Sequence, residues 1–319
     1  MKKILFAVLA LATMASCSNE YVVEKDREVI GFGDTFVDNA TKADYSQDGT
    51  LIQEFKVYGT VKGTYDENAT AVQIYNAEPV TKPEGVQTYN GTAWICRNTQ
   101  YWVPNTVYEF AAIVDGVAEE TDALPETIKH TVADGANNKD LLYAYRKVTV
   151  DNAGTKSNTG NSDGLVSFTF DHLLSKVYFD ITDANTSDNY TFDVTNIKVV
   201  GVQEKGIYTV GAQTPWAKDG DTTTTLNFQN GAGYQILPLN QTLTVTIYYD
   251  TKLNGTKVSE ATKTATIPAT LYAANTCYKV SGQLSLAGEI QFTVSQVIGW
   301  TTDRNGNGEA DDNINITLR

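Results

Sequence analysis

The chain has few of the side chains that enzymes use most often. Its 319 residues include two histidines, three cysteines and two methionines. His172 follows Asp171, but adjacent residues on a strand point to opposite faces and do not form an acid–base pair. We therefore expect His172 to be packed in the fold and His130 to lie in a polar, solvated loop. Because no serine elbow, zinc-binding helix or phosphate-binding glycine loop is present, we predict no catalytic residues and no cofactor.

Basic residues are also scarce. The chain has 24 lysines and arginines against 38 aspartates and glutamates, a formal net charge of -14. Nucleic acids need basic patches on their partners, so this balance argues against a nucleic-acid partner. Threonine, tyrosine, valine, asparagine and glycine are plentiful, whereas proline is not. This composition favours strands joined by polar turns.

The first residues have the pattern of an export signal. Two lysines precede an apolar run from Ile4 to about Ala12, which is too short to span a bilayer as a helix. Small residues then precede Cys17, as at the end of a bacterial lipobox. We predict a lipoprotein signal peptide at residues 1–16 and acylation of Cys17, with plain secretion as the alternative.

Two cysteines remain in the exported part of the chain, Cys96 and Cys277. A disulfide between them is possible outside the cytoplasm. Because the two residues are far apart in sequence and fall in different predicted domains, two separate buried thiols are the preferred interpretation.

Short alternating runs of apolar and polar residues recur along the whole chain, and no helical period is sustained. The run from Asp151 to Gly164 has no bulky apolar side chain and is the best linker. The pattern predicts an all-β protein with two Greek-key β-sandwich domains in tandem, at residues 46–155 and 163–319.

One loop partly matches a calcium-binding motif. Oxygen-bearing side chains alternate at Asp303, Asn305 and Asn307, and Gly308 could form the sharp turn. The twelfth position is Ile314 where the motif needs a bidentate glutamate. A polar hairpin loop is therefore preferred over a metal site.

Both ends of the exported chain carry a strand with one apolar face. Near the start, within residues 17–45, such a face is formed by Ile30, Phe32 and Phe36; near the end it is formed by Ile314, Ile316 and Leu318. Each strand could complete its own sandwich. Alternatively, loss of the first strand would open an apolar groove that the end strand of another chain could fill.

Several distinctive segments follow one another along the chain. After the lipobox cysteine come the strand and turn IGFGDTFVDNATKA, then DLLYA, VSFTFDHLLSKVYFDI, YKVSGQLSL and VIGW. In this order they resemble segments of the fimbrillin-like proteins of Bacteroidales type V pili. The resemblance covers nearly the whole chain, and the stretch around Asp171–His172 and the Gly299–Trp300 turn are its most specific parts.

This resemblance implies two transthyretin-like sandwiches and a route from lipoprotein to filament. The precursor would be anchored in the outer membrane through its lipid, and a trypsin-like protease would remove the N-terminal strand. Lys42, followed by Ala43, lies where many family members carry the cleaved arginine. The opened groove would then take a strand from another pilin subunit of the fimbrium, with Ile314, Ile316 and Leu318 as the donor candidate.

Two alternatives to a polymerising pilin remain open. The first is a lipid-anchored surface protein that stays monomeric, either a pilus anchor or an adhesin that binds glycans or proteins. The second is an enzyme built from distant carboxylates, for which the sequence offers no specific motif.

Overall fold

The structure is a computed structural model of the 319-residue chain. It describes residues 28–37, 52, 54–65, 69–81, 94–118, 123–160, 164–184, 189–285, 290, 292–297 and 316–317. None of the described residues belongs to a helix long and apolar enough to cross a membrane.

The described residues form strands joined by turns, with one short 3-10 turn at Gly135–Asn137. In chain order the strands are β1 (Phe32–Val37), β2 (Glu54–Gly63), β3 (Val72–Thr81), β4 (Ile95–Cys96), β5 (Thr106–Val114), β6 (Val117–Ala118), β7 (Thr127–Thr131), β8 (Leu142–Val150), β9 (Lys156–Ser157), β10 (Val166–His172), β11 (Ser175–Asp183), β12 (Tyr190–Gln203), β13 (Lys205–Thr209), β14 (Trp216–Lys218), β15 (Thr223–Phe228), β16 (Gly233–Ile236), β17 (Asn240–Leu253), β18 (Thr256–Leu271), β19 (Thr276–Leu284), β20 (Phe292–Val297) and β21 (Ile316–Thr317).

These strands form four sheets. The largest has the order β1-β10-β8-β5-β2-β3-β4, with β9 paired to β8. Two sheets belong to the second half of the chain, with the orders β16-β11-β19-β20-β21 and β15-β12-β17-β18. The fourth sheet, β14-β13-β7-β6, takes strands from both halves. The all-β sandwich architecture predicted from the sequence is confirmed.

Turn chemistry explains the longest hairpin, β17–β18. Leu253 pairs with Thr256 across a two-residue turn formed by Asn254 and Gly255. Both turn residues have positive φ, 50° and 78°. An Asn-Gly pair adopts that conformation more readily than other residues, and its twist matches that of the flanking strands.

The first core lies inside the largest sheet and is rich in aromatic rings. We define it by its buried members Ile30, Phe32, Ile52, Phe55, Val57, Tyr75, Val80, Trp94, Trp102, Tyr108, Phe110, Ala112, Leu142, Ala144, Val148, Val150, Val166, Phe168 and Phe170. The alternation of apolar residues along β10 and β8 turns one side of each strand towards this core. Polar neighbours such as Thr169 and Asp171 are exposed on the other side.

The second core lies between the two sheets of the second half. Alternating residues of β11 (Val177, Phe179, Ile181) meet those of β12, β15 and β17. The rings of Phe179 and Phe228 contact edge to face across the two sheets, with centroids 4.9 Å apart. First-half residues such as Ile128 and Leu141 also belong to this core, so the two halves share buried surface.

The two halves of the chain exchange strands, which differs from the predicted organisation. The sequence analysis began the second domain at residue 163, yet β10 pairs with β8 and β1 and packs into the first core. In return, β7 from the first half pairs with β13 from the second. A polar connection shows where the chain leaves a sheet but carries no information about the sheet that it enters next.

Candidate functional site

The segment from Glu28 to Phe32 pairs along one side with residues 94–102. The amide of Ile30 donates to the carbonyl of Gln100 at 2.8 Å, and the amide of Trp102 donates to the carbonyl of Glu28 at 3.0 Å. The amide of Trp94 donates to the carbonyl of Phe32 at 2.8 Å. This pairing links the start of β1 to the region of β4, at the opposite end of the strand order.

The other side of the same segment pairs with β10. The amide of Val166 donates to the carbonyl of Gly31 at 2.8 Å. β1 then runs parallel to β10, from Phe32 opposite Val166 to Val37 opposite Phe170, with an irregularity between Phe32 and Thr35. The N-terminal segment therefore lies between two strand edges, and its removal would leave both edges without these partners.

Phe32 lies at the centre of the first core and is 0% exposed. Its ring lies parallel to that of Phe168 at 6.0 Å and edge to face with Phe55 at 6.2 Å and Phe110 at 6.0 Å. Tyr75 completes the surroundings at 5.6 Å. Burial of side chains as large as Phe32 and Ile30 contributes about 1.5–3 kcal/mol each. The prediction that both residues face a core is confirmed.

Gly31, between these two residues, makes a close approach to a neighbouring side chain. A Cβ added at Gly31 would lie 2.6 Å from Cδ2 of Leu165, the residue just before β10. That distance is well inside van der Waals contact, so any larger residue requires Leu165 to rotate away. The segment thus combines an aliphatic residue, a position without a side chain and an aromatic ring.

An ion pair covers the start of the segment. The Lys156 ammonium contacts the Glu28 carboxylate and lies 5.9 Å from the centre of the Trp102 ring. The Lys156 side chain is mostly buried, but the Glu28 carboxylate is largely exposed, so solvent screens the pair and its contribution is small. Apolar packing and strand pairing, rather than this ion pair, hold the segment in place.

The two histidines are both buried, which corrects one prediction. His172 is packed, as expected, and the Asp140 carboxylate contacts its Nδ1. The prediction that His130 lies in a solvated loop is wrong, since it is 7% exposed in β7. Ile128, His130 and Val132 alternate as buried residues, and this period of two could have placed His130 correctly.

His130 is held in a mostly apolar environment at the junction of the halves. Its Nδ1 lies 3.3 Å from the carbonyl of Asp115. Burial lowers the pKa of His130, although the nearby carboxylates of Asp140 and Asp115 oppose that shift. Burial in β7 between Ile128 and Val132 makes His130 part of the packed interior.

Both cysteines in the described residues are free thiols, in agreement with the preferred interpretation. Cys277 is fully buried, and burial raises its pKa to about 12. Cys96 is partly buried next to Trp94, and its pKa is raised to about 11 for the same reason. Thiols with such pKa values are poor nucleophiles at neutral pH.

Several predicted site residues lie outside the described part of the chain: Cys17, Lys42, Ala43, Asp303, Asn305, Asn307, Ile314 and Leu318. For Phe36 and Ile316 the structure describes the backbone only. Phe36 pairs with Thr169 of β10, and Ile316 pairs with Val294 of β20. In the portion that is described, no three metal-ligating side chains come together.

The chain belongs to the fimbrillin-like family, whose profile matches residues 41–300. Membership of this family indicates a structural fimbrial protein of the cell surface. No curated protein matches the sequence.

Solved structures with a similar fold come from Bacteroides species. A fimbrial protein from Bacteroides vulgatus aligns with a TM-score of 0.57 and 16% identity, over 86% of this chain and 100% of that one. A proposed cell adhesion protein from Bacteroides uniformis aligns with a TM-score of 0.53 and 18% identity, over 86% and 98% of the two chains. At these identities the likeness concerns the fold.

Proposed function

We propose that the protein is a pilus subunit that polymerises by strand replacement. It is exported as a lipoprotein acylated at Cys17 and held at the outer membrane. A trypsin-like protease cuts after Lys42, and the segment that contains Ile30, Phe32 and Phe36 leaves together with its lipid. A strand from a neighbouring subunit then occupies the vacated groove, and the subunit joins the fimbrium.

The observation that supports this proposal is the position of the N-terminal segment. Glu28–Phe32 pairs with residues 94–102 on one side and with β10 on the other, while Phe32 fills the middle of the first core. A cut after Lys42 would break the covalent link between this segment and the other strands of the sheet, which follow it in the chain. Two strand edges and an apolar groove are the elements that strand addition requires.

The C-terminal strand is the donor candidate, and among the described residues it lies at the edge of its sheet. β21 contacts β20 through two residue pairs at the edge of a sheet, Thr293 with Thr317 and Val294 with Ile316. A strand at the edge of a sheet leaves one row of backbone groups free to pair with another chain. The same pairing supports the alternative, a monomeric anchor or adhesin that keeps β21 in its own sheet.

Limited trypsin digestion of the purified lipoprotein tests the proposal. We expect a new N-terminus at Ala43 and, after removal of the lipidated fragment, a ladder of oligomers on gels of unboiled samples. Lys42→Ala is the matched control and should abolish both the cut and the ladder. A protein that is cut at this site and remains monomeric would contradict the proposal and favour the anchor or adhesin.

A further inference from the structure

The groove occupied by Val29–Phe32 has a different steric requirement at each position of the strand that fills it. Ile30 is 2% exposed and Phe32 is 0% exposed, so both of their positions need large apolar side chains. Between them a side chain would displace Leu165, because Cδ2 of Leu165 lies 2.6 Å from the place of a Cβ on Gly31. The groove therefore favours an aliphatic residue, a glycine and an aromatic residue in this order.

The sequence contains this combination twice. Of the 24 glycines, only Gly31 and Gly299 have an isoleucine before them and an aromatic residue after them. A valine precedes the isoleucine in both places, so Val29–Phe32 reads VIGF and Val297–Trp300 reads VIGW. The second copy of the motif begins at the last residue of β20, where its pairing with β19 ends.

The C-terminal residues 312–319 match the requirements of the groove less well. In Asp312–Arg319 the residues between the apolar positions are Asn315 and Thr317, and no glycine is present. Either residue would place a Cβ and a polar group against Leu165. A β-branched threonine has little freedom to avoid such a contact.

We propose, on the basis of the strand replacement proposed above, that Val297–Trp300 of a neighbouring protein chain takes the place of Val29–Phe32 after cleavage. Gly299 lies against Leu165, and its carbonyl accepts the hydrogen bond from the amide of Val166. Trp300 enters the ring of aromatic side chains that surrounds Phe32, formed by Phe55, Tyr75, Phe110 and Phe168. The chain end then serves a different part of the contact or remains in its own sheet.

Competition between short peptides for the cleaved protein tests this assignment. The probes are fluorescent peptides of residues 296–305, of residues 311–319 and, as the positive control, of residues 28–37. Fluorescence polarisation with the full chain cleaved after Lys42 gives their affinities. We expect the peptide of residues 296–305 to bind at least about tenfold more tightly than that of residues 311–319.

A glycine substitution in the peptide, matched with a substitution in the groove, tests the role of Leu165. Gly299→Val in the peptide should weaken binding about five- to tenfold, the effect of forcing Leu165 into an unfavourable rotamer. In a Leu165→Ala protein the same substitution should have an effect of less than about twofold. An undiminished loss in the Leu165→Ala protein would show that the glycine acts in some other way and would overturn the assignment.

A variant of the intact chain tests whether the groove accepts the larger ring. Phe32→Trp makes the resident tetrapeptide identical to Val297–Trp300, and we expect a folded protein whose N-terminal segment still protects the amide of Val166 from exchange. Loss of that protection would contradict the assignment.

The outcomes separate this inference from the proposed function. If residues 311–319 bind as tightly as residues 296–305 or more tightly, strand replacement stands and the assignment of the donor is wrong. If residues 28–37 bind but neither other peptide does, this inference fails in the same way. If none of the three peptides binds and cleavage gives no oligomers, the proposed function fails together with it.

Discussion

The two cores of the molecule depend on the chain ends to different extents. The first core has Ile30 and Phe32 among its buried members, and both come from the first described residues of the chain. The second core is built from strands β11 to β20 with help from first-half residues such as Ile128. We therefore expect loss of the N-terminal segment to open the first core and to affect the second one less.

The hydrogen bonding of the two ends shows the same contrast. The N-terminal segment is paired on both sides, with residues 94–102 and with β10. Of the C-terminal strand, the described residues Ile316 and Thr317 pair on one side only, with Val294 and Thr293 of β20. A segment paired on both sides leaves two strand edges unpaired when it is removed, whereas an edge strand leaves one.

Truncation of Phe32 should have the largest effect on stability, because it weakens the first core directly. Phe32→Ala removes a ring that contacts four others, so we expect a loss of about 3–5 kcal/mol in the free energy of unfolding. Urea unfolding monitored by circular dichroism gives this value. Val258→Ala, at a position 53% exposed on β18, is the control and should change stability by less than about 0.5 kcal/mol. Equal effects of the two substitutions would contradict the central position of Phe32.

Removal of the N-terminal segment should sharpen the comparison further. After cleavage at Lys42 and separation of the fragment, the amides of Val166, Trp94 and Trp102 lose their acceptors on that segment. We expect their hydrogen exchange to accelerate more than about tenfold, as local stability falls by more than about 1.4 kcal/mol. Mass spectrometry or NMR on the monomeric fraction measures the change.

The neighbouring Ser167 provides an internal control for this exchange experiment. Its amide donates to the carbonyl of Thr159 and not to the N-terminal segment. Its protection should fall less than that of Val166, and the amide of Val245 in β17 should be unaffected. Uniform loss of protection in both cores would show that the halves unfold together and that no stable acceptor groove exists.

The sequence predicted the strands and several of the core residues, because these depend on local alternation. Ile30 and Phe32 were expected to be buried together, and they are. The destination of β10 could not be predicted from alternation, since Val166, Phe168 and Phe170 fit the inner face of either sandwich equally well. The partners of the N-terminal segment at residues 94–102 were also beyond the sequence, because pairing between strands distant in sequence leaves no periodic trace.

The close approach of Leu165 to Gly31 is a further feature that the sequence did not predict. The sequence alone does not show whether the glycine between Ile30 and Phe32 is required by a bulge, by a turn or by a neighbouring side chain. Only the structure places Leu165 over it. That contact gives a physical reason for the glycine that Val29–Phe32 and Val297–Trp300 share.

The smallest expected effect concerns the junction where the two cores meet. Burial lowers the pKa of His130 below its ordinary value of 6.5 in spite of Asp140 and Asp115. Below pH 6.5 the unfolded chain therefore binds a proton that the folded protein takes up only at lower pH. Through this group the free energy of unfolding decreases as the pH falls below 6.5 and is constant above it.

A His130→Gln variant isolates this contribution from that of the carboxylates. The substituted glutamine has no group that titrates in this range, so the difference in stability between the variant and the natural chain should be constant above pH 6.5. Below pH 6.5 the difference should shift in favour of the variant, because only the natural chain must bury a group that prefers to be charged. Urea unfolding at several pH values between 5 and 8 checks the sign. A difference that does not vary with pH would show that His130 has the same pKa in the folded and unfolded chains and would contradict the lowered pKa.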